Sequence, residues 1–404
     1  MAAGVRQGGD RTLNGLRSNI ENLRESGIRE VYESGRNLPG LIPLWFGEPD
    51  KPTPDFIGRA ASRALAEGKT FYAPNSGVPE LREALAAYSE RIYGAPLNPE
   101  RITVTGSGMQ ALAISAQLLI APGDNMVFVT PVWPNIHGLV EIMGGETRDV
   151  ALDRNQGGFE LDLEKLFAAC DSNTRAIFLN SPNNPTGWMM ERAEQQALLE
   201  FCRRRGIWIV ADEVYARLVY DRPHAPSFLE IADPEDRVLV VNSFSKPWAM
   251  TGWRLGWLTR PAGLTRTLEK ISEYNIAAPT TFVQWAGIEA LENGESFIAD
   301  SLARYRAGRD LVHDRLNRMD GIDCPLPPGA FYHFFAVDGL TNSLAFCKEV
   351  LAETAVGMAP GGTFGDGGEG NVRLCFASSV ELLAEAMDRF EAFMNRRGGN
   401  PVRA

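Results

Sequence analysis

The sequence predicts an α/β fold: a large domain with a mainly parallel sheet covered by helices on both faces, and a smaller α+β domain after it. Three observations carry this expectation. Short apolar runs alternate with helical patterns from about residue 100 to 260. A long amphipathic pattern follows between about 295 and 319, with apolar residues at Ile298, Leu302, Tyr305, Val312, Leu316 and Met319. Beyond it the strand-like segments GAFYHFFAV and NVRLCFA are interleaved with helices at 343–354 and 380–397. The expected division is residues 1–48 as an N-terminal segment packing with the small domain, 49–294 as the large domain, and 295–404 as interdomain helix and small domain.

Composition excludes several function classes. The chain has 404 residues, enough for two domains and a sizeable core, with 44% hydrophobic and 23% charged residues. A net charge of -11 and a pI near 5.1 argue against nucleic acid or an anionic membrane as a partner. The five cysteines are scattered and odd in number, which fits reduced thiols in a cytoplasmic protein better than a disulfide framework. The four histidines are far apart, so no metal site is expected. Residues 1–12 are polar and Gly-rich, expected to fray and without the apolar core of a signal peptide. No apolar run approaches the roughly 20 residues of a membrane span.

Taken in order, Leu16 to Tyr32 has helical spacing, broken near Gly27. LIPLWFGEPD then runs into a turn at Gly47. In FYAPNSGVPELR, Asn75 to Gly77 make a turn and Pro79 opens a helix that stops at Gly94. Tyr72 precedes that turn and on its own reads as a packing residue. A strand at 102–105 leads into GSGMQA, which opens a helix at about 111–120. Small residues at such a turn leave the amides of Gly108 and Met109 free for an anion. The string also satisfies the dinucleotide pattern GxGxxA, but the next strand, 126–129, ends in Thr-Pro-Val-Trp133 and not in the acid that grips a ribose. A single phosphate is therefore the expected guest, and a nicotinamide-dependent oxidoreductase is the rival.

Three further strands end in polar residues. After 175–179 comes NSPNNPTG, Asn180 to Gly187, a rigid loop. After 207–211 comes DEVY, where Asp212 or Glu213 could cap a helix or meet a basic ring nitrogen; the residues alone do not choose. After 238–241 comes SFSKPWAMTGWRLG, Ser243 to Gly256. Pro247 keeps Lys246 out of helical geometry, and Ser243, Ser245 and Arg254 flank it as a phosphate cup. A lysine beside such a cup suits condensation with a phosphorylated aldehyde, of which pyridoxal phosphate is one.

These ordered motifs, spanning roughly residues 40–400, resemble the class I/II aminotransferases, the fold-type I pyridoxal-phosphate enzymes of the aspartate aminotransferase superfamily. The resemblance implies that Lys246 carries pyridoxal 5'-phosphate within the large domain and that Asp212 meets its ring nitrogen. Trp133 would stack on the ring, and Asn184 and Tyr215 would reach its phenolic oxygen. Gly108, Met109, Ser243, Ser245 and Arg254 would hold the phosphate. Gly47, Asn184 and Arg373 would lie at the substrate, Arg373 clamping the α-carboxylate. Tyr72 would reach the phosphate of a neighbouring subunit, which makes the active unit a homodimer.

The implied activity is transfer of an amino group between an L-amino acid and a 2-oxo acid such as 2-oxoglutarate. In some aspartate-specific relatives a lysine in the position of Met109 grips the side-chain carboxylate; methionine here points to neutral, aromatic or aliphatic donors. Trp45, Phe46, Tyr332 and Phe364 are expected near the pocket, and the segment before Leu41 offers no residue assignable to substrate closure. An aspartate aminotransferase or a carbon–sulfur β-lyase would share the same local motifs.

Overall fold

Val, Ile, Leu, Ala and Phe fill four parallel strands whose two faces are both buried: Asn125–Thr130, Thr174–Asn180, Trp208–Asp212 and Val238–Ser243. Such strands form only where helices cover both sides of a sheet. The computed structural model describes residues 16–398 apart from Gln156, and the stretch 1–12, expected to fray, lies outside them. The large sheet has seven strands. Its order is Ile102–Thr105, Gly256–Thr259, Val238–Ser243, Trp208–Asp212, Thr174–Asn180, Asn125–Thr130 and Glu146–Ala151. All neighbours run parallel except Gly256–Thr259, which is antiparallel to both of its partners.

Register sets the functional edge. Asn180 lies opposite Asp212, Asp212 opposite Val241, and Ser243 opposite Gly256. The polar residues ending three strands therefore meet at the carboxyl edge, where open α/β sheets hold ligands. Gly256 is required there: a Cβ on it would sit 2.6 Å from the Gly108 amide nitrogen. The bare backbone lets the antiparallel strand run against the turn that starts the helix Gly108–Leu119.

The helix Pro79–Tyr93 begins with proline in its first turn and ends at Gly94 in the left-handed region, φ 68°. The helix Thr281–Asn293 buries Val283, Ala286, Ala290 and Leu291 in the core formed with that helix and Asp55–Ala66. The 22-residue helix Glu295–Leu316 leads to an antiparallel sheet of Ile322–Asp323, Tyr332–Val337, Asn371–Cys375 and Ala359–Pro360. Its aromatic core includes Phe334, Phe335, Phe346 and Phe390.

The N-terminal segment joins this smaller unit, because Ile42–Pro43 pairs in parallel with Val356–Gly357. The helical stretch expected to break near Gly27 is two helices, Ser18–Glu21 and Gly27–Gly35. Ser26 caps the second by accepting from the Arg29 amide at 3.4 Å, so the break falls before Gly27.

Candidate active site

Lys246 follows the buried strand Val238–Ser243 on a short turn. Its Nζ donates to the carbonyl of Gly47 at 2.6 Å. Close approach requires a glycine at 47, since a Cβ there would lie 1.7 Å from the Tyr332 hydroxyl. Burial pulls the lysine down to about 8, with the positive charge of Arg373 acting in the same direction. The lowered proton affinity leaves a larger share of the amine with its lone pair free than an ordinary lysine has.

Asp212 ends its strand 6% exposed and, among the described residues, its carboxylate accepts only a 3.3 Å bond from the Val214 amide. Burial pushes its carboxyl up to about 7, against the weaker pull of Lys246. Glu213 faces elsewhere: its carboxylate accepts from the Ser227 hydroxyl at 2.6 Å and the Phe228 amide at 3.0 Å. The choice that the residue string left open thus falls on Asp212, whose side chain faces the cavity. Asn180 ties the neighbouring loop to this strand. Its Nδ2 donates to the Asp212 carbonyl at 2.9 Å and its Oδ1 accepts from the Asn184 amide at 2.7 Å.

Arg373 lies on the strand Asn371–Cys375 and is 2% exposed. It donates through Nη1 to Asn184 Oδ1 at 2.8 Å and through Nη2 to the Trp45 carbonyl. Its guanidinium stands 4.5 Å from the Tyr332 ring centre and 4.9 Å from that of Phe364. Among the described residues it has no carboxylate partner, and its Nε is unsatisfied. A buried cation without an anion is costly unless an anionic guest completes it.

The cup that the sequence predicts for a phosphate is assembled from two turns. Ser107 caps the helix Gly108–Leu119 by accepting from the Gln110 amide at 3.0 Å. The amides of Gly108 and Met109, first in that helix, have no intrahelical acceptor. Ser243 accepts from the Ser245 amide at 3.1 Å. Arg254 adopts left-handed geometry at φ 54°, a cost of about 1 kcal/mol or more for a residue with a Cβ. Its Nη1 donates to the Thr251 carbonyl at 2.6 Å, and no acid pairs with it among the described residues.

These parts surround one cavity of about 310 Å³. Lys246, Asp212, Tyr215, Asn184 and Arg373 line it together with Gly47, Trp133, Gly108, Met109, Ser243, Ser245 and Arg254. The hydroxyls of Tyr215 and Tyr332 lie 2.8 Å apart, and burial pushes both well above the ordinary tyrosine range. Phe46 and Tyr332 line the cavity as expected, whereas Trp45 and Phe364 serve it by packing on or bonding to Arg373.

Tyr72 is the one predicted residue not brought to it. It is 93% exposed beside Phe71, at 83%, on the outer surface. The sequence offers no residue before Leu41 assignable to substrate closure, whereas Ser26, Ile28 and Arg29 all line the cavity. The helix Gly27–Gly35 carries Tyr32, whose ring centre lies 5.3 Å from that of Phe46, and this packing brings Arg29 to the rim. Asn180, which the sequence marks only as the start of a loop, lines the cavity too.

The arrangement fits a phosphorylated aldehyde with a basic ring nitrogen. It offers a near-neutral buried amine, a buried carboxyl short of a cation, and a cup of free amides, hydroxyls and an unpaired guanidinium. It does not fit a dinucleotide, because the strand after the Gly108 turn ends in Thr130 with no acid. Among the described residues no cluster of His, Cys, Asp and Glu could hold a metal ion, and no helix is long and apolar enough to cross a membrane. All five cysteines are free and buried.

Comparison with known proteins agrees with the geometry. The family model described as "Aminotransferase class I and II" matches residues 39–390. The aspartate aminotransferase of Pyrococcus horikoshii is 36% identical over 373 residues, covering 91% of this chain and 94% of that protein. The aromatic-amino-acid aminotransferase 2 of Thermococcus litoralis is 33% identical over 387 residues, covering 95% and 99%. A mutant aspartate aminotransferase structure from Thermus thermophilus superposes with a TM-score of 0.88 at 34% identity, covering 94% of this chain and all of that one.

Proposed function

The chain belongs to the class I and II aminotransferases, pyridoxal 5'-phosphate enzymes, and from that premise we propose which residues perform the transfer and on which donors. One observation carries the residue assignment: Lys246, Asp212 and Arg373 lie buried around one cavity, each without a full complement of partners.

Bound in this cavity, pyridoxal phosphate supplies an aldehyde that captures an amino group and an electron-poor ring that takes up the electron pair left at Cα. Gly108 and Met109 amides, Ser243, Ser245 and Arg254 hold the phosphate, the arginine through a two-pronged fork. Asp212, ionised beside a protonated ring nitrogen, keeps that proton in place. Trp133 would stack on the ring, and Asn184 and Tyr215 would donate to its phenolic oxygen.

Arg373 receives the α-carboxylate of the amino acid, with Gly47 beside it, so that the Cα–H bond faces Lys246. Lys246 Nζ, its proton affinity lowered by burial, takes the Cα proton and holds it for return. Phe46, Tyr332 and Trp133 enclose the reacting atoms and exclude water. Tyr72, turned outward on its own chain, completes the phosphate cup of a second copy, so the working unit is a homodimer. The boundaries at 48/49 and 294/295 separate the cofactor-holding unit from the arginine-bearing one, and reduced buried thiols suit a cytoplasmic enzyme.

We assign the donors as neutral amino acids, aromatic or aliphatic, with 2-oxoglutarate as acceptor. Met109 and Phe46 give the pocket an apolar wall where a fixed lysine would favour aspartate. The test is a panel of donors read as single half-reactions. Phenylalanine, leucine and methionine should convert the cofactor to its amine form with higher kcat/KM than aspartate. A strong aspartate preference would overturn the donor assignment, and release of pyruvate and ammonia from cysteine-type substrates would favour a lyase.

A further inference from the structure

We propose that Tyr332 is a positioning residue for the transfer: its hydroxyl donates to the Tyr215 oxygen and so commits the single proton of Tyr215 to the cofactor's phenolic oxygen. The inference rests on the aminotransferase reading above. The two hydroxyl oxygens lie 2.8 Å apart, and among the described residues neither has another hydrogen-bond partner. Each hydroxyl carries one proton and can also accept one. Alone, the pair can place the shared proton either way. A phenolic oxygen in the cavity removes that freedom, because Tyr215 turns its proton to the guest and its lone pair then takes the proton of Tyr332. Hydrogen bonds in such a chain polarise one another, so Tyr215 becomes a stronger donor than a tyrosine acting alone.

The fold holds the pair in place from both sides. In the small antiparallel sheet Tyr332 stands opposite Cys375 and Phe334 opposite Arg373, so Tyr332 and Arg373 share one face. The Tyr332 hydroxyl is pressed against Gly47, where a Cβ would come within 1.7 Å of it, and the residue is 1% exposed. Just before it, Ala330 takes left-handed geometry at φ 57°, donates to the Leu218 carbonyl at 2.8 Å and accepts from the Tyr220 hydroxyl at 2.7 Å. Leu218 in turn donates to the Tyr215 carbonyl at 2.7 Å. An alanine kept at positive φ marks a spot that its surroundings over-determine. The segments carrying Tyr215 and Tyr332 are thus tied together beside the point where their hydroxyls meet. Lys246 Nζ lies 5.7 Å from the Tyr215 ring centre, which sets the pair next to the lysine.

The test compares Tyr332→Phe, Tyr215→Phe and the double variant with wild type by two readouts, neither of them turnover. One is the dissociation constant of the full-length apoprotein for pyridoxamine phosphate, which has the phenolic oxygen but no aldehyde. The other is the pH midpoint at which the visible band of the pyridoxal-phosphate-loaded protein converts. Tyr332→Phe should weaken pyridoxamine phosphate about three-fold, the scale of one neutral hydrogen bond, and leave inorganic phosphate binding unchanged. A weaker donor leaves the phenolic oxygen more basic, so the proton it shares with the adjacent nitrogen is held to higher pH. The midpoint should therefore rise by about half a unit. Tyr215→Phe should move both readouts further in the same direction, and the double variant should match it, because Tyr332 acts only through Tyr215. Unchanged values in Tyr332→Phe, additive shifts in the double variant, or equal weakening of inorganic phosphate would each overturn the proposal. So would a Tyr332→Phe apoprotein that no longer folds, which would mark the hydroxyl as structural. A wild type that binds pyridoxamine phosphate yet gains no visible band from pyridoxal phosphate would instead strike the reading of Lys246, and the pyridoxamine comparison would still decide Tyr332.

Discussion

Arg373 Nη1 donates to Asn184 Oδ1 at 2.8 Å, across the junction between the small antiparallel sheet and the loop at the carboxyl end of the large sheet. The two residues are 189 positions apart, and among the described residues Arg373 Nε finds no acceptor. Asn184 is itself tethered through Asn180 to Asp212.

Arg373→Leu should raise KM for amino donors by about two orders of magnitude or more, since a buried two-pronged carboxylate clamp contributes ~3 kcal/mol. Thermal stability of the apoprotein should not fall, because the variant removes a buried cation that lacks an anion. Steady-state kinetics beside a melting curve checks both, and an unchanged KM would remove Arg373 from the substrate.

Lys246→Ala should cut turnover by at least about a thousand-fold, the scale of a positioned general base, while the variant remains folded and retains cofactor through Arg254, Ser243 and Ser245. Near-wild-type transamination by this variant would contradict the assignment.

The apoprotein should show two opposing pH slopes. Asp212 titrates near 7 when folded and near 3.8 when unfolded. Its stabilising contribution is therefore full below about pH 4 and is lost as the pH rises toward 7. Lys246 titrates near 8 when folded and 10.5 when unfolded, so stability rises again between those values. Asp212→Asn should abolish the first slope and raise the apoprotein's melting temperature at pH 7.5 by about 2 °C or more, while lowering activity. Melting curves from pH 4 to 10 for both proteins read this directly; identical profiles would mean that Asp212 is not a buried, cation-seeking acid.

Tyr72→Phe should loosen the cofactor, and the loss should be rescued in trans. Mixed with Lys246→Ala subunits, the variant should form hybrids in which one site has both Tyr72 and Lys246 and recovers cofactor retention. Sedimentation of the wild type as a monomer, or no recovery in the hybrids, would contradict the shared site.

Much of this site was legible because each motif is local. A buried strand followed by polar residues marks a carboxyl edge, and Asn184, Asp212, Ser243, Ser245 and Lys246 all announce themselves that way. What the string concealed depends on distant pairing. The contact between Tyr215 and Tyr332 joins residues 117 apart. Glu213 and Asp212 look alike until the hydroxyl of Ser227 is seen to claim the former. Arg29 reaches the rim only because Ser26 restarts a helix and Tyr32 packs on Phe46. The strand Gly256–Thr259, antiparallel within an otherwise parallel sheet, had no signal in its composition.

Borohydride reduction of the pyridoxal-phosphate-loaded protein, followed by peptide mass spectrometry, tests the central claim most directly. The account predicts one phosphopyridoxyl group, on the peptide containing Lys246 and absent from Lys246→Ala. A label on another lysine, or a protein that takes up no cofactor when it is supplied in excess, would contradict it.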